Sequence, residues 1–73
     1  MKLPMLSGEE VVRILKKMGF QEIRQRGSHR YMRHLDGRTT VVPIHSNRDI
    51  GRGLLKKILN DIGLTREEFA EYT

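Results

Sequence analysis

The sequence predicts a small α+β domain, in which one helix precedes a three-stranded antiparallel sheet and two further helices follow it. Three observations predict this fold class. Apolar residues recur at helical spacing in two segments, a β-branched run lies between those segments, and glycines punctuate the turns. A chain of 73 residues has room for one domain over 1–73 and for one small core, so we expect marginal stability in isolation.

The first helix is predicted over residues 8–18. Ser7 and Glu10 have the spacing of a capping box at its start, and Gly19 can end it in the left-handed conformation. Its apolar stripe repeats at helical spacing and is expected to face the core: Val11, Val12, Ile14, Leu15 and Met18.

Three strands are predicted over residues 20–26, 28–34 and 38–45. Gly27 marks the first turn, and Gly37 suits the left-handed position of a three-residue hairpin loop. Pro43 cannot donate a ladder hydrogen bond, so the third strand is expected at an edge of a sheet with strand order 1-2-3.

The three-residue loop also predicts the register of the second hairpin. The expected pairs are His34 with Arg38, Met32 with Thr40, Arg30 with Val42, and His29 with Pro43. The helices are expected to cover the face that holds Met32, Val42 and Ile44. The opposite face would hold His29, Tyr31, Arg33, Val41 and His45, with His29 and His45 as diagonal neighbours about 7–8 Å apart.

The second helix is predicted over residues 53–62, after a polar loop at 46–52, and Gly63 is expected to end it. Thr65 and Glu68 form a second capping box, which predicts a short third helix over 66–72, fixed to the body by Phe69. The residues expected on the outside of the second helix are Arg52, Lys56, Lys57 and Asn60.

Positive charge is concentrated in one part of the chain. The net charge is +5, but residues 24–57 hold nine Arg or Lys against two Asp, which is +7, and the remainder is −2. All three histidines lie in this basic segment. An ordinary solvated surface would be charged more evenly, so the segregation favours a nucleic-acid partner.

Other classes of site have little support in the sequence. The chain has no cysteine, which excludes disulfides and thiolate metal sites and permits the cytoplasmic location that we expect. No apolar run approaches the length of about 20 residues that a membrane span needs. His29 and His34 have a zinc-like separation but fall on opposite faces of a strand, so we expect neither a metal nor another cofactor.

His29 is the strongest candidate for chemistry, because an imidazole exchanges protons near neutral pH and guanidinium groups bind phosphate oxygens. The competing interpretation is a surface histidine beside a hairpin. His34 is interpreted as a solvated turn residue, and His45 is the candidate for a second proton carrier. The predicted RNA-binding residues are Arg26, Arg30, Arg33, Arg48, Arg52, Lys56 and Lys57.

The order and spacing of several segments resemble the HicA family, the small ribonuclease toxins of HicA–HicB toxin–antitoxin pairs. The resemblance covers roughly residues 7–69. The matching segments are Met18-Gly19-Phe20, Arg26-Gly27-Ser28-His29, Arg33-His34-Leu35-Asp36-Gly37-Arg38, Val42-Pro43-Ile44-His45, Arg48-Asp49-Ile50-Gly51-Arg52-Gly53, and residues 58–65 with Phe69. The sequence departs from the family pattern at Leu35 and Leu54, where proline and threonine are usual.

This resemblance implies an α-β-β-β-α fold like a double-stranded RNA-binding domain, cleavage of mRNA, and a catalytic histidine at the position of His29. Since the sequence offers no metal site, we expect the cleavage to be metal-independent. The resemblance also implies neutralisation by a HicB-like antitoxin, which we expect to contact His29 and Tyr31. Such an enzyme uses the 2′-hydroxyl of RNA as nucleophile, so we expect no DNA partner for the toxin alone. A non-catalytic RNA-binding module and a DNA-binding or structural adaptor domain remain alternatives.

Overall fold

The computed structural model describes residues 5–46 and 48–73; Asn47, in the loop predicted at 46–52, lies outside the described residues. The order of elements is helix, three strands and two helices, which confirms the predicted fold class, including the short C-terminal helix. The elements are α1 (Gly8–Lys17), β1 (Gln21–Arg26), β2 (His29–Arg33), β3 (Thr39–Pro43), α2 (Arg52–Ile62) and α3 (Arg66–Ala70).

Both predicted capping boxes are present. The Glu10 amide donates to Ser7 Oγ at 3.2 Å and the Ser7 amide donates to Glu10 Oε1 at 3.0 Å. Thr65 and Glu68 make the same reciprocal pair at the start of α3. Gly63 ends α2 in the left-handed conformation, with φ of 69°. These local signals start and stop the helices where the sequence predicts, to within one or two residues.

The strands form an antiparallel sheet in the order β1-β2-β3, with β3 at an edge as Pro43 predicts. The register of the second hairpin is confirmed, because His29 pairs with Pro43, Arg30 with Val42, and Met32 with Thr40. The His34 amide continues this ladder into the loop by donating to the Arg38 carbonyl at 2.9 Å. Gly37 turns the loop with φ of 98°.

One feature of the sheet was not predicted. The register of β1 shifts between Glu22, which is opposite Met32, and Arg24, which is opposite Tyr31. Ile23 is therefore an extra residue, as in a β-bulge, and its side chain is 49% exposed.

The core lies between the helices and one face of the sheet. Met32 and Val42 are fully buried on that face, where the apolar stripes of α1 and α2 cover them. Phe69 is also fully buried, so α3 is fixed to the body as predicted. None of the helices among the described residues covers the other face of the sheet, where Arg26, His29 and Arg33 are exposed.

Helix α2 runs antiparallel to β3. Thr40, near the start of β3, donates from Oγ1 to Asp61 Oδ2 at 3.0 Å, and Arg38 Nη1 donates to the Ile62 carbonyl at 2.6 Å. These contacts hold the end of α2 over the start of β3. The first turn of α2 lies toward the other end of β3, where Pro43 pairs with His29, because the Ile50 amide just before α2 donates to the Leu6 carbonyl and nearby Gly8 lies against the Pro43 carbonyl.

The interpretation of His34 as a solvated turn residue is wrong. Its ring packs edge-to-face on Phe20 with 5.1 Å between centroids, and its side chain is only 24% exposed. Nδ1 accepts a hydrogen bond from the Asp36 amide at 3.1 Å. His34 therefore links the hairpin loop to the core.

No helix formed by residues 5–46 or 48–73 is long and apolar enough to cross a membrane.

Candidate active site and nucleic-acid interface

The open face of the sheet gathers basic side chains around His29. Residues directly opposite in an antiparallel pair share a face, and alternate residues of a strand do so as well. The pairs Arg24 with Tyr31 and Arg26 with His29 therefore share one face with Arg33. We call Arg24, Arg26, His29, Tyr31 and Arg33 the basic sheet face; none of the strand residues paired on this face is acidic.

His29 is the first residue of β2 and is exposed. The turn before it is made by Gly27, whose φ of 58° lies in the left-handed region. Beyond the strand, the Ile44 amide donates to the Ser28 carbonyl, which keeps the end of β3 against the start of β2. The imidazole thus lies at the end of a held strand, open to a large substrate.

Arg26 is the basic residue nearest to His29 in the register. The two are direct partners across β1 and β2, so their Cβ atoms lie about 5 Å apart. Arg33 shares the face but lies four positions along β2 from His29, about 13 Å at the usual strand rise. Of these two arginines, Arg26 is placed beside the imidazole.

Arg30 lies on the other face of β2. It pairs with Val42, alternates with His29 along the strand, and its Nη1 is 3.7 Å from Glu22 Oε1. Its Nε is buried, with no hydrogen-bond partner among the described residues. Arg30 therefore lies on the helix-covered face, as its predicted pairing with Val42 indicates, and the structure does not bring this predicted RNA-binding residue together with His29.

Sequence reasoning missed Arg24 as a member of the site. Its guanidinium carbon lies 5.7 Å from the centroid of the Tyr31 ring, within cation–π range. The sequence predicted a register for β2 and β3 only, so it did not place Arg24 of β1 opposite Tyr31. Only the charge of Arg24 could have drawn attention to it.

His45 and Arg48 lie in the segment that follows β3. Both are exposed, and the Arg48 amide donates to the His45 carbonyl at 3.1 Å. His45 comes two residues after Pro43, the partner of His29, so it belongs to the same end of the sheet.

The remaining predicted RNA-binding residues lie on α2. Arg52, Lys56 and Lys57 are exposed, and Lys57 Nζ is 3.5 Å from Asp61 Oδ2. The first turn of α2 is at the same end of the domain as His29, but α2 belongs to the helical layer behind the sheet. The basic sheet face and the basic residues of α2 therefore lie near each other at one end of the molecule but do not share a face.

The acidic groups near the strands are held away from the basic sheet face. Glu22 lies opposite Met32, on the helix-covered side. Asp36 lies in the hairpin loop, where the Arg38 amide and then the Arg38 side chain donate to it and lower the pKa of its carboxyl group. Among the described residues, no three His, Cys, Asp or Glu side chains cluster where they could hold a metal ion.

This arrangement can bind a phosphodiester and exchange a proton with a hydroxyl group beside it. The guanidinium of Arg26 supplies a permanent charge and planar donors, and the adjacent imidazole supplies a group that is able to give or take a proton. The acid-free face strengthens attraction to a polyanion.

The chain is similar to known proteins over most of its length. A family model described as the HicA toxin of bacterial toxin–antitoxin systems matches residues 8–64, which include α1, the whole sheet and α2. A probable mRNA interferase HicA of Pseudomonas fluorescens (strain Pf0-1) is 38% identical over 55 residues, covering 75% of this chain and 90% of that protein. The chain therefore belongs to the HicA toxin family.

Proposed function

We propose that this protein is the toxin of a type II toxin–antitoxin system and that it cleaves mRNA as a metal-independent endoribonuclease, with His29 as the catalytic residue. The observation that carries the proposal is the exposed imidazole of His29 directly opposite Arg26 on a face with no paired acidic residue. The name of the Pseudomonas relative, mRNA interferase, supports the same activity.

The proposed reaction is an internal transesterification. The 2′-oxygen of the RNA attacks the adjacent phosphorus, the bond from phosphorus to the 5′-oxygen breaks, and the products end in a 2′,3′-cyclic phosphate and a 5′-hydroxyl. One group takes the proton of the 2′-hydroxyl and another gives a proton to the leaving oxygen, each contributing about 10²–10⁴ in rate. His29 performs one of these transfers.

Arg26 stabilises the charge that develops on the phosphoryl oxygens in this scheme. A fixed donor aimed at that charge is worth about 10²–10³ in rate when the site excludes water. Arg26 takes this role in preference to Arg30 and Arg33, because it alone of the three is the direct cross-strand partner of His29. His45 is the candidate for the second proton transfer, since it follows Pro43 at the same end of the sheet.

The RNA strand leaves this site along basic side chains. Arg48 and Arg52 lie in or after the loop that follows β3, and Lys56 and Lys57 line a shallow depression of about 300 Å³ on α2 together with Gly53 and Asn60. Because α2 begins at the end of the sheet where His29 lies, a strand bound at His29 can continue around that end.

The partner that neutralises the toxin is a HicB-like antitoxin. The chain offers it the basic sheet face, where an acidic partner would be attracted electrostatically, and Tyr31 as an aromatic anchor. Hydrogen exchange tests this contact. Protection of the amides of residues 29–33 upon complex formation supports it, and protection confined to α1 and α3 contradicts it.

The activity is tested with the purified chain, a labelled RNA and excess EDTA. The proposal predicts fragments with 2′,3′-cyclic phosphate ends, and no cleavage of the same strand when its nucleotides are 2′-deoxy. His29→Ala should abolish cleavage and toxicity while leaving the melting temperature within a few degrees, because an exposed imidazole contributes little to stability.

Two results would contradict the proposal. Cleavage by the His29→Ala variant at the parent rate would remove His29 from the mechanism. RNA binding by the parent chain without any cleavage would favour the non-catalytic binding module instead.

A further inference from the structure

Tyr31 is the aromatic residue of the basic sheet face. It lies two positions from His29 on the same side of β2, between Val41 on β3 and Arg24 on β1. The ring is partly exposed, and the Arg24 guanidinium carbon is 5.7 Å from its centroid. Two flat π-bearing groups are therefore held together next to the proposed catalytic histidine.

The irregularity of β1 also determines the surroundings of this pair. In a regular β1 that kept Arg26 opposite His29, Ile23 would oppose Met32 and Glu22 would oppose Arg33 on the basic sheet face. The extra residue instead places Glu22 opposite Met32, near Arg30 on the helix-covered side, and leaves Ile23 49% exposed. The face around Tyr31 thereby loses its one carboxylate.

We propose that Tyr31 and Arg24 bind a nucleobase by stacking, beside the phosphodiester held at His29, and that the substrate is therefore single-stranded RNA. This inference rests on the proposed ribonuclease function. Unpaired bases stack on aromatic rings and on guanidinium planes, whereas bases within a duplex are already stacked on both sides. A stacking group on an open sheet face can engage only a base that is free of a duplex.

The surroundings of the pair favour RNA over a protein partner as the occupant. Arg24, Arg26 and Arg33 place three permanent charges on one small face with no paired acidic residue. The Arg24 guanidinium already lies over the Tyr31 ring. It can therefore stack with a base or contact the neighbouring phosphate at a smaller cost in side-chain entropy than a freely rotating arginine. Phosphate charges next to flat bases are the chemistry that such a face complements.

The test measures RNA affinity in the His29→Ala background, so that the probe stays intact. The probe is a fluorescein-labelled RNA of ten nucleotides, used alone and annealed to its complement. Tyr31→Leu should weaken single-strand binding by about 5- to 150-fold, the equivalent of about 1–3 kcal/mol per stacked base. Tyr31→Phe should stay within about twofold of the parent, because the ring is retained.

Salt dependence separates the two members of the pair. Arg24→Gln should make the negative log–log salt slope shallower by about 0.7, because it removes one positive charge next to the RNA phosphates, while Tyr31→Leu should leave the slope unchanged. Tyr72→Leu is the matched control, because Tyr72 is 41% exposed and lines a groove beside α1 with Leu6 and Glu10. Circular dichroism spectra confirm that each variant is folded.

Three outcomes would overturn the inference. The first is a folded Tyr31→Leu variant that binds the single strand as tightly as the parent does, and the second is duplex binding as tight as single-strand binding. The third is a Tyr31→Phe variant that loses as much affinity for the single strand as Tyr31→Leu does. A Tyr31→Leu variant that loses only antitoxin binding would assign the pair to a protein contact and also overturn it. Cleavage by the chain with His29 intact is measured separately, so failure of the proposed function is distinguishable.

Discussion

Arg26 and His29 face each other across β1 and β2 as direct partners in the register. The neighbouring pair on the same face, Arg24 and Tyr31, extends this arrangement toward the middle of the sheet. Arg26, His29 and Tyr31 thus place a permanent charge, a proton carrier and an aromatic ring in two neighbouring cross-strand pairs on one face of the sheet.

The first prediction concerns Arg26. Arg26→Gln should lower the rate of RNA cleavage by about 10-fold to 10²-fold, because a donor beside the reacting phosphate is lost from a face that is open to water. Single-turnover cleavage with saturating protein measures it. Arg13→Gln is the control, since Arg13 is an exposed residue of α1 away from the sheet face, and it should stay close to the parent. Equal rates for the two variants would show that Arg26 does not act on the phosphate.

The second prediction concerns the packing of Gly19 on His34. A Cβ at Gly19 would lie 2.9 Å from His34 Nε2, and the residue has φ of 102°. Gly19→Ala should reduce the free energy of unfolding by more than the roughly 1–2 kcal/mol of a left-handed alanine. Gly27→Ala is the comparison, because Gly27 also has positive φ but nothing lies within 4 Å of its Cβ position.

Urea unfolding measures both glycine variants. Adding His34→Ala should recover part of the loss at Gly19, since it removes the side chain that the new methyl group meets. If Gly19→Ala and Gly27→Ala reduce the free energy of unfolding equally, the contact between the new methyl group and His34 does not add to the loss of stability.

Much of this fold follows from local signals in the sequence. The capping residues Ser7 and Thr65 predict where helices begin, and Gly37 with its loop length predicts the register that pairs His29 with Pro43. That register is strongly specified because a slip of one residue would turn Met32 and Val42 away from the core.

The candidate site is less predictable, because it depends on packing between distant segments. The irregularity at Ile23 leaves no local signal, so the diversion of Glu22 to the helix-covered side required the structure. His34 was misinterpreted for the same reason, since its contact with Phe20 joins the residue after β2 to the residue before β1. The concentration of positive charge in residues 24–57 predicted a basic surface. It did not predict that the basic side chains would be divided between the sheet face and α2.

The third prediction concerns pH. Hydrogen bonds from the Ser7 backbone, and then from its side chain, lower the pKa of Glu10 below 4.5, and Thr65 does the same for Glu68. The pKa of each of these two carboxyl groups is lower in the folded protein than in the unfolded chain. The stabilisation that the ionised carboxylates give to the folded state is therefore fully present above about pH 4.5, and it is lost as the pH falls through their pKa in the folded protein.

Urea unfolding between pH 7 and pH 3 measures this effect. Combined Glu10→Gln and Glu68→Gln should make the acid loss of stability smaller, since an amide still accepts the hydrogen bond but does not titrate. Combined Glu9→Gln and Glu67→Gln, in the same first turns but outside the capping boxes, is the control. The same dependence of stability on acid pH in both double variants would show that Glu10 and Glu68 do not cause the acid loss of stability.

The fourth prediction concerns the basic residues of α2. In the His29→Ala background, single-stranded RNA binding should weaken steeply with salt, with a log–log slope near −4 for about six phosphate contacts. Replacing Arg52, Lys56 and Lys57 together by alanine should make that slope shallower by about 2, because three contacts are lost at about 0.7 each. Fluorescence anisotropy at several salt concentrations measures the slope.

The matched control for the α2 variant removes the same charge from α1, by replacing Arg13, Lys16 and Lys17 with alanine; these three are exposed as well. A general loss of positive charge would weaken binding equally in both triple variants. An RNA path around the end of the sheet would instead change the slope mainly in the α2 variant. The first turn of α2 lies at the end of the sheet where Pro43 pairs with His29, whereas Arg13, Lys16 and Lys17 lie in the later turns of α1, away from the start of that helix beside Pro43. Equal slopes in the two triple variants would therefore remove α2 from the interface and leave the basic sheet face as the whole binding site.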